Sequence, residues 1–147
     1  MKTNRSIPDA AIIPEVGYDD VRAAASWLSG AFGFTERLRI GDHRVHLTFR
    51  SGALVVVQRD PAISASAAAG APIPACGAVM VRVDDVDAHH ARSVEHGARI
   101  LRPPTDYPYG ERQYTAADPG GHVWTFTQSI ADMDPADWGG ELVDPET

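Results

Sequence analysis

The chain has 147 residues, 44% hydrophobic and 22% charged, with a formal net charge of −7. That length supports one ordinary domain or two fused half-domains with a real core, and the acidic balance argues against nucleic-acid or anionic-membrane partners. One cysteine, Cys76, excludes an intrachain disulfide and a CxxC zinc site; at the start of an apolar run it reads as a small core residue.

In chain order, residues 1–16 hold no long apolar run, so neither a signal peptide nor a membrane span is expected and the default location is the cytoplasm. AIIPEVGY (11–18) is the first strand candidate, with Pro14 limiting it to a short, bulged or edge strand. DDVRAAASWLSGAFG follows. Asp19 or Asp20 can cap a helix, Val21, Ala24, Ala25 and Leu28 form a stripe at helical spacing, and Gly30 or Gly33 stops it. FTERLRI, HRVHLTF and ALVVVQ are three strands separated by the breaks GD and RSG. The first part therefore reads β-α-β-β-β over 10–58. Residues 59–75, rich in Ala, Ser, Gly and Pro, read as a linker or surface loop, with a helical turn at 65–69 as an option.

Residues 76–129 repeat that order. GAVMVRV is a strand, DDVDAHHARSVEHG a helix with a glycine stop, and ARILRPP, ERQYTAA and HVWTFTQ three further strands. DDV recurs at an offset of 65, and Gly97 follows Gly33 at nearly the same offset. This is the signature of an internal duplication. The fold class is α+β: one domain of two fused β-α-β-β-β modules whose cupped mixed sheet encloses a cavity suited to a small ligand. The tail, 130–147, is acidic but carries Trp138, which is expected to dock on the body.

Among the histidines, His46 stands mid-strand between apolar neighbours and is a candidate hydrogen-bonding or acid–base group. The other five read as solvated or locally bonded, and His122 reads as the turn residue that opens a strand. Glu15 is polar within the first strand, either a desolvated acid or an edge residue facing water.

DDVRAAASWLSGAFGF, GDHRVHLTFRSGALVVVQ and DPGGHVWTFTQ together resemble the vicinal oxygen chelate superfamily. That group includes glyoxalase I, extradiol dioxygenases, methylmalonyl-CoA epimerase, fosfomycin-modifying enzymes and bleomycin-resistance proteins. The resemblance covers about residues 10 to 130, and the fold it implies hosts many activities. Metal-using members carry ligands seven residues before each helix-start aspartate and on the last strand of each half. Transferred here, those positions are Ile13, Ala78, Val56 (with Gln58 the nearest polar alternative) and Thr125. A shift of two residues offers Glu15, Met80 and Gln58 instead. Ile, Ala and Val supply no lone pair and Thr is a poor neutral ligand, so no metal or other cofactor is expected. The resemblance also puts YPYGERQY (107–114) at the cavity mouth. Tyr109, Arg112 and Tyr114 there offer aromatic faces, hydroxyls and a positive charge, or else pack the loop and pair with an acid.

The function these residues imply is a metal-independent small-molecule binding or resistance-type protein of the bleomycin-resistance branch, its ligand aromatic or antibiotic-like. The alternative is a glyoxalase-, dioxygenase- or isomerase-like enzyme with a non-standard site, His46 or Glu15 doing acid–base work. The resemblance further implies a homodimer.

Overall fold

The computed structural model describes residues 4–59 and 78–142. The proposed linker with its helical turn, and Cys76, lie almost wholly outside the described residues. The chain forms two compact units, Met1–Gly77 and Ala78–Thr147.

In the first unit, β1 (Glu15–Tyr18) starts directly after Pro14, whose carbonyl still accepts from Val55 N–H at 2.9 Å. Helix α1 (Val21–Phe32) begins at Asp20, whose carboxylate takes the Ala23 N–H at 3.0 Å, and stops at Gly33 in the left-handed region. Strands β2 (Thr35–Ile40), β3 (Arg44–Phe49) and β4 (Gly52–Gln58) follow. They form a mixed sheet of order β1-β4-β3-β2 in which β1 runs parallel to β4. The second unit repeats this with β5 (Val79–Arg82), α2 (Val86–Glu95), β6 (Arg99–Tyr107), β7 (Glu111–Ala117) and β8 (Val123–Ser129), in the order β5-β8-β7-β6. Asp85 caps α2 through the Ala88 N–H at 3.0 Å, as Asp20 caps α1. Pro103 and Pro104 have no N–H for a ladder, and β6 carries them on the edge of its sheet with a register shift between Arg102 and Thr105.

Alternation puts every second residue of a strand on the same face. In the first sheet one set, Val16, Tyr18, Val45, Leu47, Leu54 and Val56, is buried. It packs with Val21, Ala25, Leu28 and Phe32 of α1, which are buried too. In the second sheet Tyr114, Trp124 and Phe126 take that role beneath α2, with the His89 ring 4.1 Å from that of Phe126. Each sheet therefore has a helix-bearing face and an opposite, helix-free face. A glutamine ties the last strand of each module to its helix start. Gln58 donates to the Asp19 carbonyl at 2.9 Å, and Gln128 accepts the Val86 N–H at 2.9 Å. Among the described residues no helix is long and apolar enough to cross a membrane.

Candidate functional site

The helix-free face of the second sheet carries a directed chain of polar groups. Tyr109 O–H donates to Gln113 Oε1 at 3.3 Å, Gln113 Nε2 to Thr127 Oγ1 at 3.1 Å, and Thr127 O–H to Glu111 Oε1 at 2.7 Å. Arg82 lies 3.5 Å from the same carboxylate oxygen and donates to Ser129 Oγ. Burial alone would push the Glu111 carboxyl up. Hydrogen bonds from Ser129 and Thr127, together with Arg82, outweigh it and hold the group below the usual carboxylate range. Burial, then the neighbouring Tyr107 and Glu111, push the Tyr109 phenol up. Its hydroxyl therefore stays a donor, and the chain runs one way, from phenol to carboxylate.

Beside this strip lies an open cleft of about 490 Å³ lined by Tyr109, Glu111, Ser129, Ala131, Asp132 and Met133. Tyr109 stacks on Tyr107 with ring centroids 5.3 Å apart, and Trp138 meets it edge-on at 5.5 Å. Trp138 closes a 3-10 turn, Pro135–Trp138, so the tail docks on the body as expected and leaves this indole 43% exposed. Gly110 lets the tail approach: its carbonyl accepts from Ile130 N–H at 2.8 Å and from Ala131 N–H at 3.3 Å.

The ten residues proposed from sequence do not share one surface. Glu15, His46, Tyr109 and Thr125 lie on helix-free faces. Ile13 and Ala78 precede β1 and β5. Glu15 is exposed and paired with Arg44 at 2.8 Å, so it is the edge residue facing water and not a desolvated acid. Three placements correct the cavity-facing expectation, and for Arg112 and Tyr114 the packing and acid-pairing alternative holds instead. Val56 pairs with Val16 on the buried, helix-bearing face. Arg112 turns to the helix side, where Asp87 of α2 and Asp106 each hold it at 2.9 Å. Tyr114 is fully buried beneath α2, bonded to Ser93 Oγ at 2.7 Å and to His89 Nδ1, with its phenol pushed up to about 12 by burial. In YPYGERQY the odd and even positions part at Gly110. From there on Glu111 and Gln113 join the polar strip, while Arg112 and Tyr114 face the helix. Gln58, spent on the Asp19 carbonyl, is a structural group.

His46 is 2% exposed, and neither ring nitrogen has a hydrogen-bond partner among the described residues. Burial first, then the charges of Arg44 and Arg37, lower its pKa from 6.5. A depressed pKa means that the unfolded chain takes up the proton first. Its contribution to stability is complete above about pH 6.5 and is lost as pH falls through the lower folded-state value. The melting temperature is expected to drop between pH 7.5 and pH 5.5, and less steeply in a His46→Leu variant; parallel slopes for the two proteins would rule this out.

The family description "Glyoxalase/Bleomycin resistance protein/Dioxygenase superfamily" matches residues 13–126. This chain belongs to that superfamily. TioX from Micromonospora sp. ML1 is similar in structure, with 33% identity, a TM-score of 0.65, and coverage of 81% of this chain and 98% of that one. TnmS3, an antibiotic binding protein from Streptomyces sp. CB03234, is 26% identical with a TM-score of 0.62 and the same two coverages. An uncharacterized protein of Mycobacterium tuberculosis is 24% identical over 136 residues, covering 85% of this chain and 78% of its own length.

The register locates the superfamily's last-strand ligand positions better than counting does. Met80 pairs with Thr125, and Glu15, 65 residues before Met80, pairs with Val55. The equivalent of Thr125 is therefore Val55, one residue from the Val56 reached by counting. Neither Val nor Thr is a transition-metal ligand, and Thr125 Oγ1 is engaged with Thr115 Oγ1 at 3.2 Å. Among the described residues no three His, Cys, Asp or Glu side chains converge to hold a metal ion. The residues present do not fit the metal that other members of the superfamily use.

Proposed function

We propose that this protein is a small-molecule binding protein of the bleomycin-resistance type, taking an aromatic, antibiotic-like ligand without a transition metal. The observation that carries this reading is the cleft lined by Tyr109, stacked on Tyr107 and met edge-on by Trp138, together with the fixed carboxylate of Glu111. Stacked aromatic side chains offer large rigid faces at low entropic cost. The donor-to-carboxylate chain holds Tyr109 in place before a ligand arrives, which lowers the ordering cost of binding. The antibiotic-binding description of TnmS3 supports the same class of ligand. A homodimer in the cytoplasm belongs to this reading. Acid–base work by Glu15 finds no support, since that carboxylate is exposed and ion-paired.

Titration with doxorubicin and with metal-free bleomycin, followed by tryptophan fluorescence, tests the proposal. Saturable quenching is expected for at least one of them, unchanged by EDTA. It should weaken roughly tenfold or more in Tyr109→Ala, the scale of losing a well-packed aromatic contact. Stoichiometric Zn, Ni, Mn or Fe in the purified protein, with binding abolished by chelation, would overturn it.

A further inference from the structure

The duplicated modules give one position two different fates. In the second, Thr115 stands opposite Thr125 and their hydroxyls bond to each other at 3.2 Å. The equivalent pair in the first is His46 and Val55. Val55 has no polar atom, and Leu38 faces His46 from the other neighbouring strand. The imidazole is thus flanked across the sheet by two aliphatic residues and buried, with both nitrogens lacking a partner among the described residues. Burying a polar group without a hydrogen bond is unfavourable, and native proteins seldom do it. A leucine would fill the same place without that penalty. Arg44, the nearest charge along the strand, is already paired with Glu15 at 2.8 Å, and although Arg37 also acts on the ring, the cost of burying an ion beside it favours an uncharged partner.

We infer that His46 is a ligand anchor, the hydrogen-bonding group for an uncharged aromatic molecule that carries a hydroxyl, with Val55 and Leu38 against the ligand's ring. The inference rests on the binding function proposed above. A neutral imidazole has one donor and one acceptor nitrogen, and a hydroxyl can meet either. Exposure of only 2% means that the ligand enters through local opening, so association is slower than rigid docking.

Phenol and toluene are nearly the same size and differ in the hydroxyl, which makes them the probes. Each is titrated into protein carrying ¹⁵N-histidine. Phenol is expected to bind at least tenfold more tightly than toluene and to shift the His46 ring resonances. In His46→Leu the preference should vanish, and this variant, free of ligand, should melt at a higher temperature than the wild type. Equal affinities in the wild type, a preference that survives in His46→Leu, or a ligand-free variant that is less stable or unfolded would each overturn the anchor role. Phenol binding without movement of the His46 resonances, or binding of doxorubicin but of neither probe, overturns this inference and leaves the binding function standing. Failure of all ligands overturns both.

Discussion

Gly110→Ala should lose about 2–5 kcal/mol of stability, far more than an alanine normally costs in a loop. Two independent effects add. Gly110 has φ +83°, and an L-residue held in the left-handed region costs on the order of 1–3 kcal/mol. A Cβ built there would also meet the Ala131 carbonyl oxygen at 2.3 Å and Met133 Cγ at 3.0 Å. The first neighbour is backbone and cannot swing aside. To relieve the clash the tail must lift, which breaks the bonds from Ile130 and Ala131 to the Gly110 carbonyl, each worth about 1 kcal/mol net. The same movement removes Ala131, Asp132 and Met133 from the cleft wall, so ligand affinity should fall together with stability. Gly97→Ala and Gly121→Ala are the controls. Their φ values are +79° and +85°, but a Cβ at either meets nothing within 4 Å, so only conformational strain of about 1–2 kcal/mol applies. Urea midpoints measure all three. If Gly110→Ala falls within about 0.5 kcal/mol of the controls, the close approach of the tail is not a constraint on this fold.

The fold was open to reading because its signals are local. Asp20 and Asp85 cap helices, Gly33 ends one, Pro14 delays a strand, and the period of two sets each sheet face. The duplication then fixed the order of elements without knowledge of any contact. The site was less legible because it depends on register and parity, which residue types alone do not encode. Counting along the chain landed on Val56 where strand pairing selects Val55. The stretch YPYGERQY invited one reading for three residues that the pleat divides between two faces. Glu111, Gln113, Thr127 and Arg82 have no suggestive spacing along the chain. They become a unit only when β5, β7 and β8 are laid side by side. One signal was available: from Thr125, every second residue along β8 had to share its face, which already includes Thr127 and Ser129. The His89–Tyr114–Ser93 cluster needed knowledge of which face α2 covers.

Trp124→Ala should be among the most damaging single changes in the chain, costing about 3–5 kcal/mol, a large fraction of the 5–15 kcal/mol that typically holds a domain folded. Trp124 is fully buried and its indole N–H donates to Asp118 Oδ2 at 3.0 Å. The other oxygen of Asp118 accepts the His122 backbone N–H at 3.0 Å, and the Asp118 N–H returns to the His122 carbonyl at 2.9 Å. In DPGGHVW the aspartate is thus the working residue. It closes the turn with one oxygen and fixes the strand's core tryptophan with the other, while His122 contributes mainly its backbone to that closure. Trp124→Phe keeps most of the volume and removes one donor, so its expected cost is lower, about 1–3 kcal/mol. Asp118→Asn should cost a similar amount. An amide has a single acceptor oxygen, so its NH₂ must face one of the two donors. Because Asp118 and Trp124 share the indole bond and lie in one network, their effects should not add, and the double variant should fall short of the sum by 0.5 kcal/mol or more. Strict additivity in denaturant titrations would mean that Asp118 and Trp124 act independently. Thr125→Val, on the opposite face of the strand, gives up only a half-buried hydroxyl pair and should stay within about 1 kcal/mol of wild type. Adjacent residues of β8 would then differ several-fold in their effect on stability because the pleat sends one into the core and the other to the helix-free face.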